Sequence, residues 1–174
     1  MSQKPAGEKH SLWLMPTGDV YDGLSRILRQ LSARYAAPEF PPHETLLGEC
    51  VGPRRELIDK SAGLAAAIRP FTVRLEQIDF LDEYYRCLFV RAALTEPLWK
   101  AHQAARQAFG HGHDPSFVPH LSLLYGDFPR DEKAEVIAQM GLRLEVQFKV
   151  RSLHLYRTHG EPRQWRRVAS FGLE

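Results

Sequence analysis

Two short stretches, "PPHETLLGE" at 41–49 and "VPHLSLLYGD" at 118–127, do most to limit what this chain can become. Each sets a histidine directly after a proline, a hydroxyl two positions later and two leucines behind it: His43, Thr45 and Leu46 in one, His120, Ser122 and Leu123 in the other. A chain of this composition would write His-x-(Ser/Thr)-Leu by chance about 0.08 times, so a pair of copies asks for a common cause. The histidines stand 77 positions apart, near half of the 174 residues, which predicts two similar halves.

The pattern between the motifs supports that reading. "HSLWLMP" (10–16) predicts a strand ended by Pro16, and from Asp19, read as an N-cap, Val20, Leu24, Ile27, Leu28, Leu31 and Tyr35 recur at helical spacing. Pro53 opens a second helix, and "FTVRLEQIDF" alternates as a half-buried strand. "YYRCLFVRAAL" reads as its hairpin partner. Thr95 and Pro97 open a helix running to about Phe109, and another is expected near 130–140. "LRLEVQFKV" and a terminal hairpin close the chain. The predicted class is α+β: one domain over 1–174, made of two pseudo-symmetric lobes with antiparallel sheets lining a central cleft and helices outside.

On a strand, residues i and i+2 share a face. His43 and Thr45 therefore point together, as do His120 and Ser122, while Leu46 and Leu123 turn into a core. Facing halves would bring two imidazoles and two hydroxyls to one cleft. Imidazole titrates near neutrality, so a pair can hold one neutral base and one protonated acid. Hydroxyls can donate to phosphoryl oxygens. That set meets the needs of in-line displacement at phosphorus.

The paired "PHETL" and "PHLSL", with "SLWLMP" and "PHLSLLYGD", resemble the signature motifs of the two-histidine (2H) phosphoesterase superfamily, in its cyclic phosphodiesterase branch, which is related to 2′-5′ RNA ligase-like proteins. The likeness covers essentially the whole chain. It implies a bilobal fold and hydrolysis, without metal or cofactor, of ribose cyclic phosphates such as nucleoside 2′,3′-cyclic phosphates or ADP-ribose 1″,2″-cyclic phosphate. His43 and His120 would be the acid/base pair and Thr45 and Ser122 the phosphate-binding hydroxyls. Trp13 and Tyr125 would line the substrate pocket, where an aromatic face can stack a base. Strict alternation turns Tyr125 away from His120, so its role requires the strand to end or twist at Leu124. Glu44 departs from the family pattern and is expected on a solvated lobe surface. Two alternatives remain at this stage: an RNA-end-processing enzyme, with RNA termini as partner, and a nucleotide- or RNA-binding module without turnover. The doubled imidazoles argue against the module. The symmetry hides which histidine is acid and which base.

Composition narrows the rest. Net charge +2 does not announce a nucleic-acid binder, and no apolar run approaches the ~20 residues of a membrane span. Cys50 and Cys87 lack metal spacing and are expected to be reduced and buried, as in a cytoplasmic monomer. Residues 1–9 lack the apolar middle of a secretory signal and read as a flexible lead-in. "HGHD" (111–114) holds potential ligands, but loop histidines are ordinarily solvated, and no metal site is assigned. The arginines near the end, Arg157, Arg163, Arg166 and Arg167, either border the cleft and attract phosphate or form a solvated hairpin face.

Overall fold

The computed structural model describes residues 7–174. Strand β1 (His10–Leu14) is followed by α1 (Gly18–Tyr35), β2 (Glu44–Cys50), α2 (Arg54–Ala66), β3 (Phe71–Asp79), β4 (Leu88–Ala92) and α3 (Glu96–Ala108). Then come β5 (His120–Leu124), α4 (Arg130–Met140), β6 (Arg143–Val150), β7 (Ser152–Arg157) and β8 (Arg166–Gly172). The architecture is α+β. The strands form one antiparallel sheet in the order β6-β3-β4-β5-β2-β1-β7-β8. The two sheets expected from the repeat are its halves, joined where β2 meets β5 through a single bridge, Glu44 opposite Leu121. That joint sets the two motif strands edge to edge.

The helices carry the repeat further. Helix α1 leaves β1 but packs on β5, and α3 leaves β4 but packs on β2. Each β-α-β segment thus covers the other half's motif strand. Leu24, Leu28 and Leu31 form the buried stripe of α1, and Phe71, Val73 and Leu75 the buried face of β3. Each such side chain contributes about 1.5–3 kcal/mol by leaving water. The core lies between this helical layer and one face of the sheet, leaving the other face for the cleft.

Local expectations shift in three places. Thr17, not Asp19, occupies the N-cap of α1, because the left-handed backbone at Gly18 (φ 58°) turns the chain into the helix earlier. The strand expected from Tyr84 begins only at Leu88, since Tyr84–Arg86 closes as a 3-10 turn with the Arg86 amide donating to Glu83 O at 3.1 Å. Of the lead-in expected to be flexible, residues 1–6 lie outside the described residues, while Glu8 and Lys9 are tied down. Arg157 Nη2 meets Glu8 Oε1 at 2.8 Å, Lys9 Nζ meets Glu49 Oε2 at 2.9 Å, and the Thr158 amide donates to Lys9 O at 2.8 Å. Cys50 and Cys87 are free, buried thiols, and burial pushes Cys50 up to about 12. Among the described residues no helix is long and apolar enough to cross a membrane.

Candidate active site

His43 immediately precedes β2 and His120 opens β5, so the β2–β5 joint brings both to one cavity of about 790 Å³. Both rings are held alike. His43 Nδ1 lies 2.7 Å from Pro41 O, and His120 Nδ1 lies 2.8 Å from Val118 O. A carbonyl only accepts, so each Nδ1 carries a proton and each Nε2 is left free. In its neutral form Nε2 is a base; protonated, it is an acid. Burial pushes His43 down to about 3, against the Pro41 hydrogen bond and with a smaller push from His120. His120 is also lowered, first by burial, against its Val118 bond, then by the Arg86 and Arg91 charges, with Glu83 opposing. His43 is only 5% exposed, whereas His120 is half-buried.

The hydroxyls differ. Thr45 lines the cavity with no hydrogen-bond partner among the described residues, so its proton is available to a ligand. Ser122 donates to Tyr85 O at 3.1 Å and must leave that carbonyl to donate to a bound oxygen.

The structure places Trp13 in the cavity wall, but not as a stacking face. Its ring lies 3.5 Å from His43 at 11° and 3.8 Å from Tyr156 at 20°. Two near-parallel rings that close must occupy opposite faces, so Trp13 buttresses His43 and offers a base only its edge. Trp13 thus lines the cavity as expected, while the face expected to stack a base is taken up by His43 and Tyr156. Strand β5 does end at Leu124, and Tyr125, released from alternation, lines the cavity while stacking on Phe40 at 3.8 Å. The exposed aromatic at the mouth is Tyr85, with Trp165 6.1 Å away. Sequence reasoning missed both, along with Phe89. Strand register supplies the missing signal for Phe89: Trp13 stands opposite Thr45, and Phe89 stands opposite Ser122 and packs 5.1 Å from His120.

Glu44 overturns an expectation. It is 0% exposed, and neither carboxylate oxygen has a hydrogen-bond partner among the described residues. The alternation that aims His43 and Thr45 at the cleft aims Glu44 and Leu46 at the opposite face, which α3 covers. Burial pushes its carboxyl up to about 8, so it is mostly protonated at neutral pH.

Other singled-out groups lie elsewhere. His113 Nδ1 meets Gln103 Oε1 at 3.2 Å, and Asp114 accepts from the Ser116 amide at 2.9 Å and faces Arg106 at 3.7 Å. None of them lines the cavity that holds His43 and His120. His102, which matched no motif, donates from Nδ1 to Leu46 O at 2.7 Å and braces β2 from behind.

A sequence profile of the 2′-5′ RNA ligase superfamily matches residues 22–162. A cyclic phosphodiesterase of Arabidopsis thaliana is 21% identical over 124 residues, covering 71% of this chain and 68% of the relative. A 2′,3′-cyclic-nucleotide 3′-phosphodiesterase of Neurospora crassa is 29% identical over 172 positions, covering 77% and 81%. Among solved structures, TT0787 of Thermus thermophilus superposes with a TM-score of 0.67 at 17% identity, over 95% of this chain and 97% of the other. LigT of E. coli in complex with 3′-AMP superposes with a TM-score of 0.60 at 15% identity, over 95% and 98%. At those identities the structural likeness is one of fold.

Proposed function

The chain belongs to the 2′-5′ RNA ligase superfamily, and from that premise we propose that it is a cyclic phosphodiesterase opening ribose cyclic phosphates to monophosphates. The observation that carries this reading is the pair of free Nε2 atoms, each fixed by an Nδ1–H to carbonyl bond, in one cavity. The named activities of the Arabidopsis and Neurospora relatives support it. The substrates proposed are nucleoside 2′,3′-cyclic phosphates or ADP-ribose 1″,2″-cyclic phosphate. A cavity of about 790 Å³ falls in the range of small-molecule sites.

The roles follow from burial. His43, the more deeply buried ring, is the harder of the two to protonate, so His43 is assigned as the base and the half-buried His120 as the acid. His43 Nε2 takes a proton from water as its oxygen attacks phosphorus. The bond from phosphorus to one ribose oxygen breaks, and His120 gives its Nε2 proton to that oxygen. Both transfers are supplied by side chains, so the reading assigns no step to a metal. Thr45 and Ser122 donate to the non-bridging oxygens as charge builds on them.

A product-resolved assay across 2′,3′-cyclic mononucleotides, ADP-ribose 1″,2″-cyclic phosphate and RNA ending in a cyclic phosphate tests this directly. Monophosphate product, formed equally in EDTA, is expected; no turnover of any of them would sink the reading. Thr45→Val is expected to lower kcat about 10²-fold with little change in KM, because its bond strengthens as charge develops. An unchanged kcat would remove Thr45 from the phosphate site.

A further inference from the structure

The basic C-terminal run separates into unlike environments. Arg157 is bound to Glu8 at 2.8 Å and Arg163 to Glu161 at 2.8 Å, while Arg166 donates to the Arg163 and Trp165 carbonyls at 2.7 Å. Arg167, an exposed side chain, takes part in none of the hydrogen bonds or ion pairs that hold the other three among the described residues. It borders a second cavity of about 380 Å³, separate from the catalytic one, into which Thr17, Tyr21, His154 and Tyr156 also face. Lys9 and Arg86, the cations of the catalytic cavity, are by contrast held by Glu49 at 2.9 Å and Glu83 at 2.7 Å.

Every polar head in this second wall can donate. His154 Nδ1 is buried without a partner among the described residues, and the ring lines the cavity. A buried N–H without an acceptor is the rarer arrangement, so the proton belongs on Nε2, pointing to the cavity. Burial, and then the Arg167 charge, push His154 down to about 4, which keeps the ring neutral with that single N–H. The Tyr156 phenol is raised, chiefly by burial, and stays protonated. Arg167 adds a fixed positive charge beside both rings. Among the described residues no carboxylate lines the cavity; Asp19 and Asp22 of α1 lie outside it. A guanidinium, an imidazole N–H and three hydroxyls without an acid suit a phosphate, not a cation.

Position ties this cavity to the reaction. Tyr156 stacks on Trp13, which stacks on His43. The sheet order β2-β1-β7-β8 sets His154 two strands and Arg167 three strands from Thr45, roughly 10–15 Å at the usual strand spacing. A cyclic mononucleotide has one phosphate, which the histidines would occupy. We propose that the Arg167 cavity is an anion subsite for a second phosphate of the same substrate molecule, selecting two-phosphate substrates over cyclic mononucleotides. This rests on the cyclic-phosphate reading only for the place of the first phosphate. The second phosphate would come either from a neighbouring nucleotide of an RNA end or from the diphosphate of an ADP-ribose derivative.

Equilibrium binding separates the sources and does not depend on turnover. The probes are 3′-UMP, the dinucleotide UpU 3′-phosphate and ADP-ribose 2″-phosphate, measured by calorimetry on the wild type, Arg167→Ala and Arg167→Lys. The wild type should bind one of the two larger probes at least about tenfold more tightly than 3′-UMP, and Arg167→Ala should lose that margin. Affinity for 3′-UMP should not move, and Arg167→Lys should restore part of the margin. The probe that responds names the source. Equal wild-type affinities, a margin that survives Arg167→Ala, or a parallel loss for 3′-UMP would overturn the subsite. A chain that turns over no cyclic phosphate yet shows the margin would retain the subsite and lose the hydrolase reading.

Discussion

Replacing His43 or His120 with alanine should lower kcat on a 2′,3′-cyclic nucleotide about 10²–10⁴-fold in each case, the usual scale for a lost acid or base. KM should change far less, because the proton transfers are made in the transition state. The double variant should cost less than the product of the two, since both act in one displacement. The two roles separate by leaving group. A diester that releases 4-nitrophenolate scarcely needs an acid, so His120→Ala should recover most of its rate there while His43→Ala does not. The opposite pattern would exchange the roles, and wild-type rates in both variants would remove the histidines from the mechanism.

The pH profile carries its own sign. Both imidazoles are lowered in the unliganded protein, so the maximum of kcat/KM should fall on the acid side of the ordinary histidine value, about 6.5. Bound phosphate is negative and favours imidazolium, so the alkaline limb of kcat should lie at higher pH than that of kcat/KM. Coincident limbs would mean that substrate charge does not reach His120.

Glu44→Met should stabilise the protein, and increasingly so as pH rises. The Glu44 carboxyl keeps its proton up to about 8 in the fold, whereas in the unfolded chain it ionises near its ordinary value of 4.5. Between those values the folded state holds a proton that the unfolded state has released, so wild-type stability falls as pH rises through the window. The full span amounts to on the order of 3–5 kcal/mol at alkaline pH. The lowered histidines act the other way below about 6.5, but the difference between wild type and variant cancels them. Denaturant unfolding at pH 5 and pH 8 reads the effect. Activity should survive, because the side chain faces away from the cleft. A stability difference independent of pH would show that the Glu44 carboxyl does not titrate in this way.

How much of this was legible beforehand follows from which interactions are local. The repeat of His, hydroxyl and leucine marked both motif strands because period-two alternation is a property of three or four consecutive residues. The same alternation already put Glu44 beside Leu46; only its charge argued for water, and the covering helix α3 decides against charge. Tyr85 and Trp165 were not legible, since each reaches the cavity from a turn whose path depends on distant contacts. Phe89 became legible only once β4 was set in register with β5.

The chain's own letters therefore determined the α+β class, the two motif strands and the four side chains of the cleft, because hydrophobic period and side-chain chemistry are local quantities. Tertiary structure decided which histidine is the more buried, that Trp13 spends both faces on His43 and Tyr156, and that, among the described residues, Arg167 alone of the four arginines singled out in the terminal run is unpaired. Those outcomes depend on desolvation and on contacts between residues far apart in sequence, which arise only when β2, β1, β7 and β8 are brought side by side.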